Sequence, residues 1–297
     1  MTFREMLKQA EARLTEAGVT DAGYDARVLL ERAYHLDTAR YLAVSGETPE
    51  EYVRDPAERQ AAAEAFAKDL RKRAERIPLQ QILGEVEFYG HVFKVNASVL
   101  CPRQDTEVLV EAVIQDPAPG NALLDLCTGS GCIVISILAA REISHALGVD
   151  ISEEALRVAE FNRRQVLEPE KQDRLTLLRS DLYEAVPEYL RERKLPGFDI
   201  LVSNPPYIPS RIMDTLEPEV REHEPRLALD GAEDGLLFYR RLLKDARSFL
   251  NPGGRIYFEI GYDQGEAVRR MMEDKGFHDV EVIRDFGGND RVVKGYV

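Results

Sequence analysis

Residues 203 to 208 read SNPPYI and follow directly on an apolar run, FDILV. Two adjacent prolines cannot continue a helix, and they remove two backbone donors from a ladder, so a strand must stop there rigidly. Its tip then offers the side-chain amide of Asn204, the carbonyl of Pro205 and the aromatic face of Tyr207. Such a set suits a planar NH2 conjugated with a carbonyl or a ring, whose lone pair is delocalised and whose nitrogen is a poor nucleophile. If the Asn204 side-chain oxygen and the Pro205 carbonyl accept its two N–H bonds, they hold it facing an electrophile and tighten as positive charge grows on nitrogen. Tyr207 would pack flat on the planar group. In-line alignment of this kind can supply roughly 7–11 kcal/mol of a barrier, and no strongly basic residue is needed. The bland alternative is that Pro-Pro ends a strand and Asn caps a turn.

A second constellation lies upstream. The stretch LLDLCTGSGC, residues 123 to 132, reads as strand, glycine turn and helix, and Gly129 and Gly131 would let backbone approach a ligand closely. The third glycine of a dinucleotide fingerprint would stand at Val134, so that fingerprint is incomplete. Asp150 closes the next strand, where a carboxylate can accept both ribose hydroxyls. Asp181 ends the one after, where it could meet an adenine amino group with Leu182 against the ring. Three such features at the carboxyl edge of successive strands point to a nucleoside without a pyrophosphate, and S-adenosyl-L-methionine fits that description.

The elements that must position these residues follow from periodicity. Phe3, Met6, Leu7, Ala10 and Leu14 recur at helical spacing, with Gly18 as a stop, and a second helix opens near Asp21 and carries Val28, Leu29 and Leu30. An alanine-rich helix follows Pro56, and its basic cluster KDLRKRAER reads as a solvated face or a partner surface. From Glu85, VEFYGHVFKV alternates with period two around a turn at Tyr89-Gly90-His91, a hairpin. Thereafter strand-like and helical runs alternate, which implies a parallel sheet covered on both faces, and the short connection between DVEVIRD and RVVKGYV permits only a terminal antiparallel hairpin. The division expected is a helical domain over 1–80, a hairpin linker over 81–98 and an α/β domain over 99–297.

Composition narrows the class. Lys+Arg of 39 against Asp+Glu of 53 gives a formal charge of -14, which argues against a surface built to grip phosphate backbones. Cys101, Cys127 and Cys132 have no histidine at metal-ligand spacing and are odd in number, so neither a zinc site nor a disulfide framework is suggested. The charged N-terminus lacks the apolar core of a signal peptide, and CIVISILAA is too short to span a bilayer. A cytoplasmic monomer without direct nucleic-acid or membrane binding is expected.

Beyond these readings, the chain resembles the HemK/PrmC family, S-adenosyl-L-methionine-dependent methyltransferases that modify the side-chain amide (N5) of the glutamine in the Gly-Gly-Gln motif of peptide chain release factors. IPLQQILGEVEFYG, CPRQDTE, DLCTGSGC, GVDIS, SNPPYI, EPRLALDGAEDGLLFYRRL, FEIGYDQGEAV and GGNDRVV carry the likeness. It implies a seven-stranded, Rossmann-like class I methyltransferase sheet behind a small N-terminal helical domain that helps to dock the release factor. It also implies cofactor contacts from Cys127, Thr128, Gly129, Ser130, Gly131, Asp150, Asp181, Leu182 and Asn204. A substrate-amide site at Asn204, Pro205, Pro206 and Tyr207 is implied too, with Arg103 and Glu107 beside it, and S-adenosyl-L-homocysteine as product. Arg103 reads equally as a structural ion-pair partner. Two departures stand out. Cys127 replaces a common glycine, and should preserve the turn if its backbone angles are ordinary. Gln104 and Asp105 replace the Pro-Glu of a usual P-R-P-E-T-E loop.

Three rivals are weighed against this reading. An adenine amino-methyltransferase would use the same NH2 chemistry, but the charge and the lack of an evident target-recognition domain oppose it. A sister enzyme acting on a ribosomal-protein glutamine would differ only in docking. A non-reacting nucleoside-binding module would leave the Asn-Pro-Pro-Tyr tip without purpose.

Overall fold

Phe3, Met6, Ala10 and Leu14 form the buried stripe of α1 (Phe3–Glu16) in the computed structural model, which describes every residue but Pro119. The Thr2 hydroxyl accepts the Glu5 N–H while the Glu5 carboxylate accepts the Thr2 N–H, a capping box that fixes where α1 starts. Then come α2 (Ala22–Ala33), α3 (Thr38–Val44), α4 (Pro49–Tyr52), α5 (Pro56–Ala74) and α6 (Leu79–Leu83). Leu29 and Leu30 of α2 join α1 and Phe66 and Leu70 of α5 in one apolar cluster.

This unit comprises residues 1–83 and also takes in 218–223. The cause lies in the basic run of α5. Arg73 is only 6 % exposed, and it pairs with Asp25 at 2.6 Å and with Glu219 at 2.8 Å, while Arg76 reaches Glu219 at 2.5 Å. A run expected to be solvated or to face a partner is thus in part an internal ionic anchor. Two arginines converge on one carboxylate that the sequence places about 145 residues away.

The second unit comprises residues 84–217 and 224–297. It opens with β1 (Glu85–Phe88) and β2 (His91–Lys94), joined by Tyr89 and Gly90, both at positive φ (49° and 74°), the backbone of a tight two-residue hairpin turn. The hairpin is no separate linker, and this revises the boundaries drawn from sequence. Phe88 and Phe93 are buried with Leu109, Val110 and Val113 of α7 (Glu107–Gln115), and the buried Asn162 side chain bonds both backbone groups of Lys94. A strand pair this short is not stable alone, so it borrows the larger core.

The remaining strands are β3 (Ala122–Leu126), β4 (His145–Asp150), β5 (Leu175–Arg179), β6 (Phe198–Ser203), β7 (Leu250–Glu259), β8 (His278–Arg284) and β9 (Asp290–Tyr296). They form one sheet in the order β5-β4-β3-β6-β7-β9-β8, parallel from β5 to β7 and antiparallel at β9 and β8. The terminal hairpin is present, and its last strand inserts between β7 and β8. Between the strands run α8 (Cys132–Ala140), α9 (Glu153–Val166), α10 (Pro169–Gln172), α11 (Val186–Arg193), α12 (Pro218–His223, of the first unit), α13 (Leu237–Phe249) and α14 (Gly265–Asp274).

One face of the sheet is covered by α7 and α8, the other by α11, α13 and α14. The chain leaves β3 toward β4 on one side and leaves β6 toward β7 on the other. The strand order therefore reverses between β3 and β6, where open α/β sheets bind ligands. No helix among the described residues is long and apolar enough to cross a membrane.

Candidate active site

At this reversal the carboxyl ends of β3, β4, β5 and β6 border one cavity, lined among others by Cys127, Thr128, Gly129, Ser130, Asp150, Asp181, Leu182, Asn204, Pro206 and Arg103. The glycine turn is built by its own hydrogen bonds. Thr128 N–H donates to the Val149 carbonyl and Gly131 N–H to the Thr128 carbonyl, and Asn162 donates to the Ser130 carbonyl at 2.9 Å. Gly129 has φ 55°, and a Cβ added there would meet nothing within 4 Å, so its missing side chain leaves open space for a ligand. Gly131 differs. It does not line the cavity, and a Cβ there would come within 2.9 Å of Ile135, so this glycine serves helix packing.

Cys127 adopts φ 64°, so the condition under which it would replace glycine without strain is not met. The position is left-handed, where glycine is at ease and a Cβ is strained. Leu182 is left-handed too, at φ 52°, held there because the Ser180 hydroxyl donates to its carbonyl and accepts the Ala185 N–H. Two side-chain-bearing residues in this conformation flank one cavity, a pattern common at binding sites.

Asp150 ends β4, and its Oδ2 accepts the Gly129 N–H while its Oδ1 accepts the Ser152 N–H, both at 2.9 Å. Burial raises its pKa against these bonds. Each oxygen keeps a lone pair for a diol hydroxyl. Asp181 gives one oxygen to Arg241 of α13 at 2.8 Å, leaving the other for an amino group, and the buried Leu182 supplies the apolar wall beside it. Under the turn lies Asp125, wholly buried, with Oδ2 accepting the Thr128 hydroxyl at 2.6 Å and Oδ1 without a partner. Burial, only partly opposed by Thr128, lifts this acid to about 7. The donor set fits an adenosyl group: a carboxylate at the ribose, a second near the purine edge, and a glycine gap between.

The Asn-Pro-Pro-Tyr tip emerges from β6 beside this cavity. Asn204 Nδ2 lies 3.5 Å from the Thr106 hydroxyl oxygen, so its Oδ1 remains uncommitted. Pro205 is buried and, like Tyr207, does not line the cavity. The Tyr207 hydroxyl donates to Glu259 Oε1 at 3.3 Å, and Gln264 donates to the Tyr207 carbonyl at 3.0 Å. The segment after α12 packs directly on the tip. Ile208 and Leu229 share a backbone bond, and a Cβ on Gly235 would fall 2.4 Å from the Tyr207 carbonyl oxygen.

Two residues carried over for substrate contact separate here. Arg103 lines the cavity while bonding the buried Glu224 at 2.6 Å, so the ion-pair reading describes what its guanidinium does. Glu107 is not in the cavity. It accepts the Tyr89 N–H at 2.9 Å and braces the hairpin instead. Of the two departures in that loop, Asp105 pairs with Arg291 at 3.1 Å. Thr106, Asp125, Glu224 and Glu259 were missed by sequence reasoning. Asp125 and Glu259 lie within apolar runs and Thr106 and Glu224 within charged ones, and only the quoted blocks containing them hinted at a role.

The chain is similar to known proteins along its whole length. Residues 5–84 match the PrmC N-terminal domain family, and residues 102–217 match the methyltransferase small domain family. A release factor glutamine methyltransferase of Caulobacter vibrioides is 40% identical, over 99% of this chain and 96% of the relative. One of Moorella thermoacetica is 41% identical, over 100% and 99%. Among solved structures, a release factor-specific protein-(glutamine-N5) methyltransferase of Alicyclobacillus acidocaldarius shares 28% identity, covering 69% of this chain and 98% of its own, with a TM-score of 0.38. With identity at this level along its whole length, the chain belongs to the release factor glutamine methyltransferase family.

Proposed function

We propose that this chain methylates the side-chain amide nitrogen of the glutamine in the Gly-Gly-Gln motif of peptide chain release factors, modulating translation termination. The observation that carries the reading is the Asn204 amide: at the edge of the adenosyl cavity its nitrogen faces Thr106, which leaves its oxygen to accept a substrate N–H. Bound there, S-adenosyl-L-methionine supplies a methyl carbon on a sulfonium; as the amide lone pair forms the C–N bond, the C–S pair stays on sulfur, giving S-adenosyl-L-homocysteine, and the nitrogen sheds one proton to water. Asn204 Oδ1 and the Pro205 carbonyl hold the substrate NH2 in line and strengthen as charge grows on it. Pro206 and Tyr207 keep the tip rigid, with the Tyr207 ring against the amide plane. Asp150 takes the ribose, Asp181 and Leu182 the adenine, and Cys127 to Ser130 border the methionine portion. The helical unit docks the release factor, whose glutamine sits in a loop and needs recognition beyond the pocket. In this reading the chain acts in the cytoplasm as a monomer.

The test is methyl transfer from labelled S-adenosyl-L-methionine to unmethylated release factor, to the same factor with its motif glutamine replaced, and to ribosomal protein. Label on the intact factor alone is expected. Label on ribosomal protein instead overturns the substrate, and Asn204→Ala retaining normal turnover overturns the site. The variant should lose most transfer, on the order of 10²-fold or more, while binding cofactor to within several fold.

A further inference from the structure

Gln264 stands in the turn between β7 and α14 and is only 7 % exposed, a buried amide that the mechanism above does not use. Its two ends meet different partners. Nε2 donates to the Tyr207 carbonyl at 3.0 Å and to the Gly235 carbonyl at 3.3 Å, while Oε1 accepts the Gly261 N–H at 3.0 Å. Carbonyls only accept and a backbone N–H only donates, so the reversed amide would set like against like. Its orientation is therefore fixed, and it joins three segments: the end of the Asn-Pro-Pro-Tyr tip, the turn before α13 and the turn after β7. Two glycines make this approach possible. A Cβ on Gly235 would lie 2.7 Å from Gln264 Nε2, and one on Gly231 would lie 2.8 Å from the Tyr207 Cα.

We propose that Gln264 is a positioning residue for methyl transfer: by holding the Tyr207 carbonyl it fixes the downstream end of the tip whose Asn204 and Pro205 oxygens hold the substrate amide. This rests on the reading that those two oxygens accept the substrate N–H groups.

The reason lies in the tip's own sequence. Pro205 and Pro206 have no N–H, so neither can donate a bond that ties the tip to neighbouring backbone. The direction of the Pro205 carbonyl is therefore set from the two ends of the segment. Upstream, the Ser203 hydroxyl donates to the Leu126 carbonyl at 2.6 Å within the sheet. Downstream, Gln264 holds the Tyr207 carbonyl, and Ile208 donates to the Leu229 carbonyl at 2.9 Å and accepts the Gly231 N–H at 2.8 Å. A neutral amide suits this place. It brings two donors to a point where two carbonyls converge, which a carboxylate of the same shape cannot do.

The experiment measures kcat and KM for release-factor methylation, cofactor affinity by calorimetry and thermal unfolding, in wild type, Gln264→Met, Gln264→Glu and Asn204→Ala. Gln264→Met removes both donors at nearly constant volume. Gln264→Glu keeps the shape and the acceptor for Gly261 but turns lone pairs on the two carbonyls. Each is expected to lose up to about 10²-fold in kcat, the scale of a group misplaced by about 1 Å, with KM and cofactor affinity within a few fold of wild type. If Gln264→Glu does not fold, Gln264→Met decides. Wild-type kcat in Gln264→Met, or a fall in cofactor affinity as large as the fall in kcat in the folded variant, overturns the inference, while loss of turnover in Asn204→Ala preserves the underlying reading. Normal turnover in Asn204→Ala overturns both.

Discussion

Glu219 in the helical unit and Glu259 at the sheet edge are both glutamates drawn out of water, and the structure treats them oppositely. Burial pulls the Glu219 acid up, but hydrogen bonds from Arg76 and Arg73 outweigh it and hold the carboxyl at about 2. Glu259 receives one hydroxyl bond, from Tyr207, and has a more distant Arg291, which do not outweigh burial, and it stays at about 7, as does Asp125. The first carboxylate joins segments far apart in sequence. The other two each keep an oxygen without a partner and lie under the tip and the glycine turn. A buried acid whose needs are met is a fastener; one left partly unmet beside a cavity is a candidate for work on a ligand.

This contrast is open to direct tests. The largest effect on stability is expected from Glu219→Ala, which leaves the buried Arg73 with Asp25 as its one carboxylate and should destabilise the helical unit by about 3 kcal/mol. Denaturant unfolding followed on that unit checks it, and a loss within error of zero would deny the fastening role.

The pH dependence carries opposite signs. Glu219 has a folded pKa below its unfolded value of 4.5, so its contribution is present above about 4.5 and lost as pH falls toward about 2. Asp125 and Glu259 have folded values above 3.8 and 4.5, so their ionisation weakens the fold as pH rises from about 4 to about 7, with no further change above that. Asp125→Asn should remove part of that decline in unfolding free energy between about pH 4 and 7; an unaltered decline would mean that the carboxyl is solvated after all.

The smallest effect belongs to Cys127→Gly. Relief of a left-handed Cβ favours the variant by roughly 1–2 kcal/mol, and the greater freedom of glycine in the unfolded chain takes back about 0.5–1, leaving a gain between about 0 and 1.5 kcal/mol. Thermal unfolding would register it, and a loss of stability would show that the thiol's packing outweighs backbone strain.

Local chemistry made much of this protein legible before its fold was known. Two prolines stop a strand wherever they occur, Tyr-Gly turns a hairpin, and apolar spacing separates helix from strand, because each depends on neighbours within a few residues. Hence Asn204, Asp150, Asp181 and the glycine turn could be placed at strand ends, and they do border one cavity. What tertiary structure alone decided concerns pairing across long separations. Sequence spacing could not tell that Arg73 is buried, that Glu107 braces a hairpin, or that Cys127 is left-handed, since each depends on which surface arrives opposite it. Nor could it tell that Thr106 stands behind Asn204 or that Gln264 holds Tyr207, because strand order and the loops between strands bring them together from points 98 and 57 residues away. The energy of a buried polar group is set by its partners rather than its identity, and those partners are known only once the chain has closed on itself.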